Sequence, residues 1–347
     1  MGNVNVHTLS LDLNWELITL LSEIDRFDAA WTAIERREGY SLKELRFIAT
    51  VRSVGASTRI EGSKLSDAEV DVLLSNINVS KLQERDQQEV VGYFEVLDSI
   101  SESFKDIPVS ENSVKSLHTQ LMRYSDKDQW HKGDYKKNSN AVQANMPDGS
   151  TQIIFKTTDP GFATENAMRA LVEWHDSEQE VHPLVKCGIF SYEFVTIHPF
   201  QDGNGRLSRL LATLLLRKYG YEWIQYVSLE HEIEIQKTDY YKVLRSCQAR
   251  RPGEDVTPWV LFFLKCLKNI QESLLTKLNL QGVDKTLTQK EKTVLVIIES
   301  NPGIKSGEIA EKLASSSPTV KRILRDLLAK KLIEKQGVGP GTNYHIM

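Results

Sequence analysis

Along most of the first 280 residues, apolar positions recur every three or four residues, the spacing of helices that bury one face. The segments ENSVKSLHTQLMRY, ENAMRALVEWH and KCGIFSYEFVTI follow it, and SDAEVDVLLSNI adds a start signal, with Ser66 as N-cap and Glu69 as its capping-box partner. An all-α body is predicted. One stretch departs from the period: NSNAVQANMPDGSTQIIFKTT carries two short extended runs, Asn138 to Ala144 and Thr151 to Thr157, around the turn residues Pro147, Asp148 and Gly149. A hairpin alone on a helical body has unpaired edges, a liability unless something docks there.

The end of the chain has a different rhythm. After the strongly apolar TPWVLFFLKCLKNIQESLLTKL, the stretch NLQGVDKTL reads as a linker, and three short helical patterns and a hairpin follow. The third helix is expected to begin with Ser317 as N-cap and Pro318 at the first helical position. Its apolar stripe is Val320, Ile323, Leu324, Leu327 and Leu328, which leaves Thr319, Lys321, Arg322 and Arg325 outward. IEKQGVGPGTNYHIM supplies two strands around a Gly/Pro turn. This segment resembles the winged helix-turn-helix domains of transcription regulators. That resemblance implies DNA contact through Lys321, Arg322 and Arg325, although winged helices also serve as protein contacts.

Composition and charge refine the picture. With 347 residues, 40% hydrophobic and 26% charged, the chain is of ordinary globular make-up and long enough for more than one domain. It has no apolar run of membrane-spanning length and no signal-peptide pattern at its start, so a cytoplasmic protein without a membrane partner is expected. Cys187, Cys247 and Cys266 are odd in number and far apart, and HEIEI at His231 lacks the second histidine of a zinc motif; no structural metal is expected. The net charge of −4 hides an asymmetry: from Thr286 onward ten Lys/Arg face six Asp/Glu, so the tail is basic and the body acidic.

The most informative stretch is FVTIHPFQDGNGRLSRLLATLLL, where two apolar helical runs are interrupted by polar residues and glycines. Pro199 and the glycines make a sharp loop whose end becomes a helix N-terminus, with unpaired N–H groups and the positive end of the helix dipole. Gly203 and Gly205 let the backbone approach a phosphate closely. Arg206 and Arg209 lie three apart on one face, where two guanidinium groups can grip a polyphosphate. Asp202 is wrong for phosphate alone but right with Mg²⁺ between them, and His198 can act as general base. Attack by a protein hydroxyl on a nucleotide phosphate is the chemistry these residues suggest.

HPFQDGNGRLSR matches every fixed position of HxFx(D/E)GNGRxxR, the signature of the Fic family, and the resemblance extends over roughly residues 45–250. It implies transfer of AMP from ATP to a hydroxyl side chain of a target protein, on a mainly α, Fic-type helical bundle with a small β-hairpin flap. By the same resemblance His198 is the base and Asp202 the Mg²⁺ ligand. Phe200 anchors the loop, and Gly203, Asn204 and Gly205 form the anion hole. Arg206 holds the γ-phosphate and Arg209 the inner phosphates. The hairpin corresponds to the flap that takes a target segment by strand addition, placing Ile153, Ile154 and Phe155 at the target groove. Tyr240 and Tyr241 stand where the family often has a tyrosine near the adenine.

A second resemblance lies upstream. Ser57 to Gly62, within ASTRIEGSKLS, fits the family's inhibitory pattern (S/T)xxxE(G/N), with Glu61 as the acid. Its carboxylate is expected to pair with Arg206 in place of the γ-phosphate, leaving ATP only an unproductive pose. Such inhibition is intramolecular or exchanged within a homodimer.

The expected organisation is an N-terminal helical region with the inhibitory helix (residues 1–110), a catalytic core with closing helices (111–280) and a winged helix (286–347). The expected function is autoinhibited protein adenylyltransfer, including self-modification. The alternatives are a nucleotide-sensing DNA-binding regulator, transfer of another phosphate-containing group, and removal of AMP.

Overall fold

The computed structural model describes residues 9–77, 82–126, 129–145, 151–284, 288–313, 315–330, 332–337 and 339–346. Two compact units divide the chain, Met1–Leu274 and Leu275–Met347. Among the described residues no helix is long and apolar enough to cross a membrane.

The first unit is helical, as its periodicity predicts. α1 (Trp15–Ile60) is followed by α2 (Asp67–Ser75), α3 (Arg85–Ser103) and α4 (Glu111–Leu121). The hairpin β1 (Ala141–Asn145) and β2 (Thr151–Lys156) comes next, then α5 (Phe162–Ser177), α6 (Pro183–Ile197), α7 (Asn204–Lys218), α8 (Leu229–Ile235), α9 (Lys237–Gln248) and α10 (Thr257–Asp284). The capping box of Ser66 and Glu69 opens α2 with both of its bonds made.

The centre of this unit is α6, in which every residue from Leu184 to Ile197 is buried. A helix apolar on all sides belongs in the middle of a core rather than on its surface. α7 packs beside it and is buried from Arg206 to Arg217. The loop joining these two helices is therefore anchored at both ends in the core. Glu193, fully buried within this core, receives a two-pronged contact from Arg251 at 3.0 and 3.1 Å. Cys187, Cys247 and Cys266 are buried free thiols.

The hairpin is shorter at its first strand than expected, starting at Ala141 rather than Asn138, because Asn140 turns its side chain to Phe200 O in the loop between α6 and α7 instead of entering the ladder. Its register pairs Ala141 with Lys156, Val142 with Phe155 and Gln143 with Ile153, so Ile154 is the extra residue of a bulge. The expected turn at Pro147, Asp148 and Gly149 lies outside the described residues. So does part of the expected linker: α10 continues to Asp284 through Gly282, a residue that weakens a helix by only about 1 kcal/mol, while 285–287 are not described.

The second unit holds α11 (Gln289–Ser300), α12 (Ser306–Lys312), α13 (Ser317–Ala329), and an antiparallel pair, β3 (Ile333–Gln336) with β4 (Asn343–Ile346). Its core is Val294, Ile298, Ile304, Ile309, Val320, Ile323, Leu324, Leu327, Leu332, Ile333 and Tyr344. The cap of α13 falls one residue earlier than expected: Ser316, extended at ψ 146°, is the N-cap, and Ser317 is already helical. The Ser316 hydroxyl bonds the Thr319 hydroxyl at 2.9 Å rather than a backbone N–H of the first turn.

Candidate active site

The loop between α6 and α7 is built by residues that end one helix and start another. Pro199 cannot donate the next helical hydrogen bond, and it disfavours a right-handed conformation at the residue before it. That residue, His198, caps α6 in the left-handed region at φ 54°, ψ 59°, the one non-glycine positive φ among the described residues. The conformation costs roughly 1–2 kcal/mol for a residue with a Cβ, so neighbours must hold it. Gly203 takes φ 78° at the start of α7, where a Cβ would meet Met122 Sδ at 3.1 Å.

Three side chains close the loop. Asn204 accepts from Phe200 N and donates to Phe200 O, both at 2.8 Å, so its amide is used inside the loop and only its backbone remains for an anion. Phe200 is fully buried and stacks on His118, ring centres 3.7 Å apart and planes 4° from parallel. His118 accepts from Gly133 N at 2.9 Å through Nδ1, which puts its proton on Nε2, 3.0 Å from the Asp202 carbonyl. Burial pushes the pKa of His118 down to about 4, which keeps this arrangement neutral. Nothing local in the sequence marks His118; its role comes from contacts across 84 residues.

His198 is partly buried, and its Nδ1 lies 3.1 Å from the Val195 carbonyl. Donation there leaves the Nε2 lone pair as the basic site. Burial lowers its pKa to about 4, outweighing the opposite pull of the Val195 bond, Glu61 and Asp202. At neutral pH the imidazole is an unprotonated acceptor.

The expected partner of Glu61 needs correction. Its carboxylate pairs with Arg209, not Arg206: Glu61 Oε1 is 2.8 Å from Arg209 Nη2. Arg209 also donates to Ser57 Oγ at 2.9 Å and to Ser57 O at 3.0 Å, so the end of α1 takes most of its donors. Burial works against the charge of Arg209, but Glu61 leads the influences that hold its pKa above the ordinary value. The carboxylate also lies over the start of α7, since a Cβ on Gly205 would come within 2.3 Å of Glu61 Oε1. Arg206 is turned elsewhere, toward Glu89 on α3 at 3.5 Å and Asp202 at 3.6 Å. It is 1% exposed, and its Nε and Nη1 make no hydrogen bond. Gly62, at φ 109°, turns the chain away after Glu61.

The end of α1 is itself clamped. Arg59 makes a two-pronged contact with Glu234 on α8, at 2.6 and 2.9 Å, pairs with Asp67 at 2.9 Å and donates to Leu65 O at 3.0 Å. Lys237 caps the helix by donating to Ile60 O at 2.7 Å.

Asp202 stands at the mouth of the loop, 38% exposed, with Arg85 Nη2 at 3.5 Å as well as Arg206. Among the described residues no group of three or more His, Cys, Asp or Glu can hold a metal ion. A divalent ion at Asp202 would have to take its other ligands from phosphate oxygens and water, which is how Mg²⁺ is usually bound.

Tyr240 is 5% exposed, packs on Trp259 and Phe262, and has its hydroxyl in hydrogen-bonding reach of Arg209; burial raises its pKa to about 12. Tyr241 meets it edge-on at 5.0 Å. In the hairpin, Ile153, Ile154 and Phe155 lie on β2, with Phe155 partly buried. Lys321, Arg322 and Arg325 are all exposed on α13.

Comparison with known proteins bears on the fold and on two segments of the chain. Residues 108–216 match the Fic/DOC family and residues 287–337 the MarR family. Among curated proteins, the protein adenylyltransferase Fic of Drosophila mojavensis and that of Drosophila melanogaster are each 25% identical over 250 residues, 71% of this chain. The alignments span 45% and 46% of those relatives, so the chain matches just under half their length. A solved Fic family protein from Desulfovibrio desulfuricans G20 superposes with a TM-score of 0.65 at 24% identity, covering 97% of both chains. A Fic-domain signaling protein from Bacteroides thetaiotaomicron gives 0.59 at 24% identity, over 74% of this chain and 95% of that one. Fold, loop and family match together define a Fic domain. The match places a Fic-type domain over residues 108–216 and a MarR-like winged helix over residues 287–337.

Proposed function

We propose that the chain is an autoinhibited protein adenylyltransferase, transferring AMP from ATP to a hydroxyl side chain of a target protein. The observation that carries it is Glu61 on Arg209 above the N-terminus of α7, beside an unprotonated His198. A carboxylate held by an arginine over a helix N-terminus stands where an anionic substrate group belongs.

With Glu61 withdrawn, Arg209 regains the donor that Glu61 occupies while two others stay on Ser57, and Arg206 already has buried donors without hydrogen bonds. Both suit a polyphosphate. The backbone N–H groups of Asn204 and Gly205 offer the anion hole, the Gly203 N–H being taken by Asp202 Oδ1 at 2.6 Å. His198 Nε2 takes the proton of the target hydroxyl as its oxygen attacks the α-phosphorus. The bond from that phosphorus to the bridging oxygen breaks and pyrophosphate leaves. Mg²⁺ beside Asp202 would neutralise phosphate charge. A target segment is received by strand addition at the hairpin, near Phe155, and Tyr240 and Tyr241 border the nucleotide. The same chain, or a second copy of it, is a candidate acceptor.

Isotope position tests the reaction. The Glu61→Gly chain, given Mg²⁺ and a total protein extract, should transfer label from ATP carrying ³²P at the α-phosphate and none from ATP carrying it at the γ-phosphate. Glu61→Gly with His198→Ala should bind ATP and transfer neither. Label from the γ-phosphate alone would mean phosphoryl transfer, and ATP binding without any label would favour a nucleotide sensor.

For the winged helix we propose DNA contact, supported by the exposure of Lys321, Arg322 and Arg325 on one helix whose opposite face is core. Binding to duplex DNA that weakens steeply with salt tests it.

A further inference from the structure

Lys136, in the segment leading to the hairpin, holds the carbonyls on both sides of His198. Its backbone N–H donates to Pro199 O at 2.8 Å and its ammonium donates to Ile197 O at 3.1 Å. The same ammonium reaches Asn140 Oδ1 at 3.0 Å and Thr157 Oγ1 at 2.8 Å, so each of its protons has an acceptor. Asn140 directly precedes β1 and Thr157 directly follows β2. They are tied to each other, with Thr157 Oγ1 2.6 Å from Asn140 Oδ1, and Asn140 Nδ2 donates to Phe200 O at 2.8 Å. The Lys136 ammonium thus joins both roots of the hairpin to Ile197 O, while its backbone N–H and Asn140 hold the next two carbonyls of the loop, Pro199 O and Phe200 O.

Burying an ammonium is expensive, and Lys136 is 1% exposed. A methionine could fill a similar volume without that cost, so the packing alone does not account for a lysine here. A methionine would keep the backbone bond to Pro199 O but could not donate to Ile197 O, the carbonyl just before His198, nor tie it to Asn140 and Thr157 at the roots of the hairpin.

We propose that Lys136 is a positioning residue for the base: it locks the turn at His198 and joins it to both roots of the hairpin, so that base and target-docking strand are set as one unit. This rests on the adenylyltransferase reading. His198 faces three charged groups, Lys136 from the hairpin's approach, Glu61 from α1 and Asp202 from its own loop. Burial is the main reason for its lowered pKa, and Lys136 adds to it, so loss of the lysine should let the histidine titrate higher.

The test uses the Glu61→Gly chain with Lys136→Met, Lys136→Arg or Thr157→Val added. Two quantities are read: transfer of α-label from ATP, and the NMR titration of the His198 ring, assigned by its disappearance in His198→Ala. Lys136→Met should reduce transfer roughly tenfold or more, as misplacing a catalytic group by about an ångström does. It should also raise the His198 titration point, and Lys136→Arg should restore part of both. Should Lys136→Met fail to fold, Thr157→Val and Lys136→Arg decide: Thr157→Val should lower transfer in smaller measure with the His198 titration point near its parent value, since the ammonium stays. A folded Lys136→Met with unchanged transfer and titration overturns the proposal. If the Glu61→Gly parent itself transfers nothing, the adenylyltransferase reading fails, while the titration still decides the role of Lys136.

Discussion

Glu61 Oε1 and Arg209 Nη2 stand 2.8 Å apart, and the same arginine is bound twice more by Ser57, one helical turn earlier on α1. The end of one helix thereby occupies the cation that the catalytic helix would offer to a phosphate. On the proposed reading, regulation at this site turns on whether α1 keeps its last turn in place.

The clamp behind Glu61 should matter without touching the chemistry. Arg59 and Glu234 are about one-fifth exposed, and breaking a charged two-pronged contact there costs about 1–2 kcal/mol. Glu234→Gln in the otherwise unaltered chain should raise AMP transfer several-fold, short of the Glu61→Gly level. Transfer rates of the three chains side by side check this.

His118 should bear on stability. Its ring stacks on Phe200 and both nitrogens are bonded, so His118→Ala should lower unfolding free energy by about 2–4 kcal/mol in urea titrations.

Acid should weaken the fold over a defined interval. His118 and His198 titrate near 4 when folded and near 6.5 when unfolded. Between those values the unfolded chain binds protons that the folded chain refuses, so stability is full above about 6.5 and falls as pH drops toward about 4. Urea midpoints across that interval should show it, and His118→Gln should flatten the slope.

Once Glu61 is replaced, AMP transfer should be independent of pH down to about 5, since the base carries no proton there. Removing Glu61 takes away an influence that raises the pKa of His198, so the acid limb should not move upward. A rate profile of the Glu61→Gly chain from pH 8 to 4.5 checks it.

In the winged helix, replacing Lys321, Arg322 and Arg325 together with alanine should weaken DNA binding and reduce its salt slope by up to about three. Fluorescence anisotropy with duplex DNA at several salt concentrations measures both.

What could be read from the sequence follows the range of the interactions. The helical body, the hairpin and the winged helix are set by local period and turn residues, and they were legible. The loop from His198 to Arg209 was legible too, because proline, glycine and helix-terminus chemistry act over a few residues. The partner of Glu61 was not. Arg206 and Arg209 are three apart, and which one faces α1 depends on the rotation of α7 against α1 and α3, a tertiary quantity. Lys136, Asn140 and Thr157 were missed for the same reason: an ordinary lysine in a polar stretch gives no sign that it will be buried against a loop 61 residues away.

The most direct measurement compares α-label transfer from ATP by the unaltered chain and by Glu61→Gly, at equal concentration with Mg²⁺ and the same protein extract. Release of Arg209 should raise transfer by roughly tenfold or more, the scale of effect that restoring productive substrate geometry gives. Equal transfer by the two chains would contradict the inhibitory role of the Glu61–Arg209 pair.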